Sequence, residues 1–482
     1  MDKVVYLLAA LPLAAALWAA VPGSERTAAK ATGAAALVAF VSAVLIVTHV
    51  QTNGTLVVVP HFIEIDALSG LFLVLIALVS ATAAIFSWGY IANEQTTPRR
   101  LRLYYVNFNL FVFSMLTIPL TVELGLVWMF VELTTLLSVL LVSFGNTHQA
   151  LEAAWKYMVL TLLGATVAVL GVLVLFWALH TTGSTEFTWS GLRAAAGAMP
   201  PALVKAAFLL LLVGYGAKIG FVPLHTWLPD AHSQAPSPVC ALLSGIETSV
   251  VLYVLLRLRQ VFHEIPSVHV ETWFAVFGLL SVGAAVFLMV QTHDYKRLFA
   301  FSTIEHMGIV LAAAAFATPL GDVAAVWLIM AHAVTKSFCF YAAGCALIVT
   351  GSRDIEDVRG LLGPSKTAAA SLLLGGLAIS GAPPFAVFLG ELAVLRAGIA
   401  AHAYLVTGLL AAFIVIGFFA VLRHLTSMAF GAPSHARGNA VALPMPCRVA
   451  LGLAAVPVLV FGVWIPPHLG QILAQAAAVL GG

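Results

Sequence analysis

A polytopic all-α membrane protein is the fold class that this sequence predicts, and three observations predict it. Of the 482 residues, 62% are hydrophobic and only 9% are charged, against roughly a quarter charged in a soluble domain. The apolar residues form continuous runs of about 20, the length that carries a helix across a bilayer. They do not form the short alternating segments of an outer-membrane barrel. Two runs are longer than one crossing needs and carry prolines, which break helices. The composition also excludes other classes. With 22 Lys+Arg and 20 Asp+Glu, the chain cannot cover a surface of this size without large apolar patches, so a soluble enzyme and a disordered chain are excluded. A formal net charge of +2 is too small to draw a nucleic acid or another polyanion.

Fourteen spans are expected, at 4–21, 30–49, 66–91, 103–120, 123–144, 154–180, 202–232, 238–261, 271–291, 298–318, 322–349, 367–400, 403–428 and 447–465. The first lacks a basic leader and reads as a span, not a cleaved signal. The seventh contains Pro223 and Pro229, and the twelfth contains Gly381, Pro383 and Pro384. Both are therefore expected as broken helices, which survive at membrane depth only where protein or a wet cavity satisfies the freed backbone groups. The breaks are five spans apart, an odd number, so the segments holding them lie inverted relative to each other. This predicts two inverted five-helix repeats, spans 4–8 and 9–13, an architecture common in transporters. The chain then divides into residues 1–100 (helices 1–3), 101–262 (first repeat), 263–430 (second repeat) and 431–482 (helix 14).

Cations orient the bundle. Alternate connections, beginning after span 1, hold Arg26, Lys30, Arg99, Arg100, Arg102, Lys156, Lys296, Arg297, Arg353, Arg359, Lys366, Arg423, Arg437 and Arg448. The other side holds Lys3, Arg193, Lys205, Arg257, Arg259 and Arg396. The positive-inside rule puts the richer set in the cytoplasm and both termini on the outer face of the cell's inner membrane. Cys240, Cys339, Cys345 and Cys447 form no C-x-x-C pair and read as small buried hydrophobes rather than zinc or iron–sulfur ligands. No Walker loop and no G-x-G-x-x-G between strand and helix is present, so no cofactor and no metal is expected on this chain.

Two lysines, Lys218 and Lys336, lie inside spans, together with Glu132, His225, Glu247, Glu305, His306, His332 and Glu391. His232 flanks the first break, next to Asp230. Charge at the bilayer centre costs several kcal/mol, which makes each of these a functional candidate. Plainer roles compete: Glu132 as a structural ion-pair partner, Lys218 capping freed carbonyls, the histidines making single hydrogen bonds, Glu391 pairing with Arg396. His332 and Lys336, at i and i+4, share one helix face, whereas Glu305 and His306 point about 100° apart. A string of Glu, Lys and His through successive spans is what a proton relay needs. Burial disfavours the charged forms of these groups and ion pairing favours them. A mobile Glu132–Lys218 pair would thus load and release protons by opening and closing.

The stretch GYGAKIGFVPLHTWLPDAHSQAPSPVCALLSG (Gly214–Gly245) resembles the antiporter-like proton-pumping subunits of respiratory complex I, the Mrp sodium/proton antiporters and the energy-converting membrane hydrogenases. WMFVEL (Trp128–Leu133), ALEAAWKY (Ala150–Tyr157), KRLFAFSTIEHMG (Lys296–Gly308), AHAVTKSFCF (Ala331–Phe340), RDIEDVRGL (Arg353–Leu361) and SGAPPFAVFLGE (Ser380–Glu391) extend the likeness over roughly 100–430. PDAHSQAPSPV (Pro229–Val239) and STIEHMG are closest in wording to component F of hydrogenase-4 and its formate hydrogenlyase relatives. After span 14 no further span or long lateral helix is expected.

The resemblance implies roles. Glu132 matches the family's span-5 glutamate, Lys218 the lysine of the broken seventh helix, and His306 the span-10 histidine. His332 and Lys336 match the span-11 motif, and Glu391 the exit-side proton carrier of span 12. With His225 these form the expected proton relay; Glu247, Ser249, Glu305 and His232 are accessory candidates. One departure stands out: Ser249 occupies the position where many relatives carry a span-8 lysine bridging the half-channels. Glu247, two residues earlier, points about 160° away in a regular helix, which leaves a water chain past Thr248 and Ser249 as the expected substitute. The implied function is proton translocation in a hydrogenase-4/formate hydrogenlyase-like respiratory complex. Redox chemistry would lie in partner subunits, a peripheral [NiFe]-hydrogenase and iron–sulfur arm joined through other membrane subunits. A cation/proton antiporter subunit, a subunit of a proton-coupled inorganic-carbon uptake complex and a scaffold with a dead proton path are the other readings. Sodium remains an alternative ion.

Overall fold

The computed structural model describes residues 1–94, 96–433 and 442–481; Arg437, one of the cations of the richer set, lies outside the described residues. The first crossings are α1 (Asp2–Ala20), α2 (Glu25–Asn53), α3 (Ala67–Ala92), α4 (Pro98–Leu120), α5 (Leu124–Val142) and α6 (His148–His180). After a short α7 (Trp189–Ala195), the seventh crossing is split into α8 (Pro201–Ile219) and α9 (Trp227–Gln234). The eighth is α10 (Ser237–Leu242) and α11 (Thr248–His263), joined through a π turn at Leu243–Glu247. Then come α12 (Val270–Gln291), α13 (Tyr295–Ala315), α14 (Pro319–Thr350), the split α15 (Lys366–Ile379) and α16 (Ala386–Ala400), α17 (Tyr404–Phe430), α18 (Met445–Val460) and α19 (Pro467–Gly481). Among the described residues, twelve helices are long and apolar enough to cross a membrane. The broken α15–α16 and the shorter α18 complete the fourteen expected crossings.

Local chemistry fixes where the helices begin. Asp66, Thr97, Thr147, Thr318 and Ser365 each cap a helix by accepting a backbone N–H three residues on. Glu123 and Asp294 each accept two N–H groups, at the starts of α5 and α13. These two acids hold matching places in the expected repeats. Each also forms an isolated antiparallel bridge with the connection that precedes a broken helix, Glu123 with Thr188 and Asp294 with Asp354.

The two breaks match in the same way. Gly220 and Gly381 adopt left-handed backbone, at φ 90° and 75°. The next N–H reaches back five residues, Phe221 to the Gly216 carbonyl at 2.8 Å and Ala382 to the Leu377 carbonyl at 3.0 Å. A proline, Pro223 or Pro384, follows two residues later.

Three features are absent from the reading of the sequence. The first is a hairpin: strands β1 (Leu56–Val59) and β2 (Ile63–Ile65) pair antiparallel with Leu56 opposite Ile65, and are too short for a hydropathy signal. The seven residues of α7 are equally short. The third is α19, a short helix after span 14 that is neither a further span nor a long lateral helix. Its 15 residues bury Leu473, Ala476, Ala477 and Leu480 against the bundle and present Gln471 to Gln51 at 2.6 Å. It is amphipathic and short of a crossing, so a search for spans passes over it.

Each cation set is tied down by acids of its own. Arg102 pairs with Glu25, and Lys156 and Arg297 share Asp230. Arg257 pairs with Asp66 and Arg259 with Asp322, both at 2.5 Å. All four cysteines are buried and free.

Close helix approaches rely on small residues, as is usual in membranes. A Cβ on Gly214 of α8 would lie 2.5 Å from the Ala168 backbone nitrogen of α6. Gly214→Leu should therefore separate α6 from α8 and lower stability by about 1–3 kcal/mol. Gly33→Leu, where a Cβ meets nothing within 4 Å, should leave it near wild type. Thermal unfolding of the two purified variants in nanodiscs makes the comparison.

Candidate functional site

The first half of the site gathers at the end of α8. Lys218 sits in the last turn before the break and is buried, with 4% of its surface exposed. Its ammonium lies 3.2 Å from Glu247 Oε1 and donates to Thr135 Oγ1 on α5. Glu247 also accepts from Thr134 Oγ1 at 2.9 Å and from the Tyr157 hydroxyl at 3.2 Å, and Ser138 Oγ meets that hydroxyl at 2.8 Å. Every member of the cluster is held by another, as a buried polar network requires.

This arrangement puts Glu247, rather than the expected Glu132, in contact with Lys218. Glu132 Oε1 is buried without a hydrogen-bond partner, while its residue lies on the α5 face that carries the exposed Met129, Leu136 and Leu140. The lysine is answered by Glu247 instead. The π turn is where a regular helical projection fails. The Thr248 N–H bonds to the Leu243 carbonyl, five residues back, so one extra residue is held in the turn. Glu247 ends that turn facing α5, α6 and α8. Ser249 faces the other way, 4.0 Å from Met307 Sδ.

The second half is built on α13, α14 and α16. With the Thr248 N–H taken by Leu243, the Ser244 carbonyl lacks its usual donor. The Thr248 hydroxyl and His332 Nε2 donate to it instead, both at 3.1 Å. His332 Nδ1 meets His306 Nδ1 at 3.0 Å. A neutral His332 that donates from Nε2 must accept at Nδ1, so His306 donates from Nδ1 and its Nε2 carries a bare lone pair. That nitrogen has no hydrogen-bond partner and lies 3.7 Å from Glu391 Oε1. One backbone carbonyl thus sets the tautomers of both rings and points the unsatisfied position at a carboxyl. Lys336, on the same face of α14 as His332, donates to the Phe299 carbonyl and Ser302 Oγ.

The structure therefore brings Lys218 and Glu247 together at one side of the π turn, and His332, His306 and Glu391 at the other. It does not join His225 or His232 to them by a hydrogen bond or ion pair. His225 lies half-buried in the first break with Nδ1 unpartnered. His232 is fully buried with neither ring nitrogen bonded, near Phe340 at 5.7 Å between ring centres. Beside it, a cavity of about 230 Å³ is lined by Ser233, Gln234, Lys296 and Arg353. The hydroxyls of Thr248 and Ser249 donate to carbonyls of their own helix, Ser244 and Gly245. Glu391 Oε1 lies 3.7 Å from His306 Nε2 and forms no ion pair with Arg396.

Residues that the sequence reading passed over complete the site. Thr134, Thr135 and Tyr157 surround the first pair, and Trp227 stacks on Tyr157 at 4.4 Å while donating to the Ala217 carbonyl freed by the break. Tyr157 lies in the motif Ala150–Tyr157, the one signal that could have marked it. Breaking the buried pair by Glu247→Gln or Lys218→Met should cost about 3–5 kcal/mol, and removing both charges together should recover most of it. Glu132→Gln should change stability little. Thermal unfolding checks this; a Glu132→Gln variant as unstable as Glu247→Gln, with no recovery in the double variant, would refute the assignment.

Comparison with known proteins places this geometry. The family model described as NADH:quinone oxidoreductase/Mrp antiporter, TM, matches residues 121–417, and that of the complex I chain 5 N-terminus matches 54–99. A hydrogenase-4 component F homolog from Methylacidiphilum infernorum is 33% identical over 432 residues, covering 87% of this chain and 89% of that protein. A chain of the archaeal membrane-bound sulfane sulfur reductase superposes with a TM-score of 0.90 at 24% identity, covering 99% of this chain and 98% of the other. A chain of the Mrp complex from Dietzia sp. DQ12-45-1b gives 0.84 at 20% identity, covering 100% and 96%. These two likenesses speak for the fold alone. The chain is a multi-pass membrane protein and belongs to the NADH:quinone oxidoreductase/Mrp antiporter family of membrane subunits.

Proposed function

We propose that this chain translocates protons as a membrane subunit of a hydrogenase-4/formate hydrogenlyase-like complex, with redox chemistry carried by partner subunits. The observation that carries the reading is the line of buried ionisable groups on both sides of the π turn, Lys218–Glu247 on one side and His332–His306–Glu391 on the other. Such groups at membrane depth are costly and are kept where protons move. The likeness to a hydrogenase-4 component F homolog over 87% of the chain favours the hydrogenase branch. On this reading residues 101–262 and 263–430 are inverted repeats, a division supported by the matched breaks and caps. The richer cation set faces the cytoplasm and both termini lie outside. Glu132, on an otherwise apolar exposed face of α5, fits contact with a neighbouring membrane subunit.

The work involved is about 2.3 kcal/mol per proton per 100 mV, so coupling to partner redox turnover has to supply at least that. In proteoliposomes holding the whole complex, Lys218→Ala and Glu391→Gln should abolish proton uptake. Substrate oxidation by the partners should continue. Proton uptake near the wild-type rate in both variants would overturn the proposal. The family's Mrp members favour a second reading, a cation/proton antiporter subunit. It requires sodium- or potassium-driven proton flux without redox substrate.

A further inference from the structure

Glu305 is buried, with 5% of its surface exposed, and takes no part in either half of the site. It lies on α13 one residue before His306 and one turn after Ser302, the residue that receives the Lys336 ammonium. Positions three apart on a helix share a face, so Glu305 and Ser302 lie along the same side of α13. Lys336 and Glu391 both lie within electrostatic reach of the Glu305 carboxyl. Among the described residues, neither Glu305 oxygen has a hydrogen-bond or ion-pair partner. Its carboxyl instead rests against a glycine: a Cβ on Gly417 of α17 would collide with Oε1. Glu391 is seated in the same manner, with Oε2 occupying the space where a Cβ on Gly381 would stand. Two buried carboxyls are thus each given room by a missing side chain, and neither is neutralised by a fixed cation. A carboxyl so placed takes and gives a proton rather than resting as a fixed charge.

We propose that Glu305 is a proton carrier between Lys336 and Glu391, a branch beside the two histidines; it rests on the proton-transport reading. The Lys336 ammonium gives a proton to the Glu305 carboxylate, leaving a neutral amine and a neutral acid. Glu305 then passes that proton, through bridging water, to the Glu391 carboxylate and returns to its anionic form. No oxidant or further reactant is needed. Gly417 is a positioning residue, because it leaves the space in which the carrier stands.

The test uses the whole complex in proteoliposomes and compares Glu305→Gln, Glu305→Asp, Gly417→Ala and Lys336→Met. Glu305→Gln keeps the shape and loses the titratable group, and should slow proton uptake by at least about tenfold. Glu305→Asp should recover much of the rate, and Gly417→Ala should slow it with every titratable group still present. Infrared difference spectra should lose a protonated-carboxyl band in Glu305→Gln. Uptake at the wild-type rate and an unchanged band in Glu305→Gln, while Lys336→Met abolishes uptake, would overturn the role of Glu305 alone. If Lys336→Met also transports normally, the relay reading falls with it. If Glu305→Gln fails to assemble, Gly417→Ala decides: a wild-type rate overturns the proposal and a slowed one supports it.

Discussion

Lys218 and Glu247 hold an ammonium and a carboxylate in contact at membrane depth, and the arrangement of four helices follows from that contact. Both charges are buried, so each must be surrounded by donors and acceptors. Thr135 takes the ammonium, Thr134 and Tyr157 take the carboxylate, and these bring α5 and α6 up to α8. The helix must also stop, because Lys218 stands where α8 gives way to unwound chain. Trp227 then closes the gap, stacking on Tyr157 and bonding a freed carbonyl. The break, the pair and the packing of α9 are one solution to one electrostatic problem.

The second half meets the same problem with different chemistry. Its break repeats the glycine, the long backward bond and the proline of the first, yet there two imidazoles stand between the π turn and a buried carboxyl, with Lys336 on the same helix face as His332. Imidazoles stay neutral at depth at less cost than a lysine, but only if each nitrogen has a defined role as donor or acceptor. The Ser244 carbonyl supplies that definition for both rings. A common scaffold thus supports a contact ion pair on one side and a hydrogen-bonded pair of imidazoles on the other.

Hydropathy made the crossings legible, and the prolines made the two breaks legible, because both depend on single-residue properties that sequence displays directly. Motif likeness marked Lys218, His306, His332, Lys336 and Glu391. The partner of Lys218 was not legible. Glu132 and Glu247 are both acids in neighbouring spans, and choosing between them needs the angle at which span 8 presents its side chains. That angle depends on a π turn, which no residue of Leu243–Glu247 announces. The glycine seats were hidden for the opposite reason: Gly381 and Gly417 act through an absent side chain, visible only once the neighbouring carboxyls are placed. The hairpin β1–β2 and α19 were too short to register as crossings.

The π turn carries one residue more than an α-helix needs over the same length. Loss of one residue from 243–247 would restore regular spacing and give a helical N–H back to the carbonyl that His332 now uses. Every polar side chain of the site could survive such a deletion, and the two halves would still lose their common junction. The length of span 8 is thus inherited information of its own kind, invisible to any comparison that scores residue identity alone. A single-residue gap at that place would leave a chain all its charges and change its wiring.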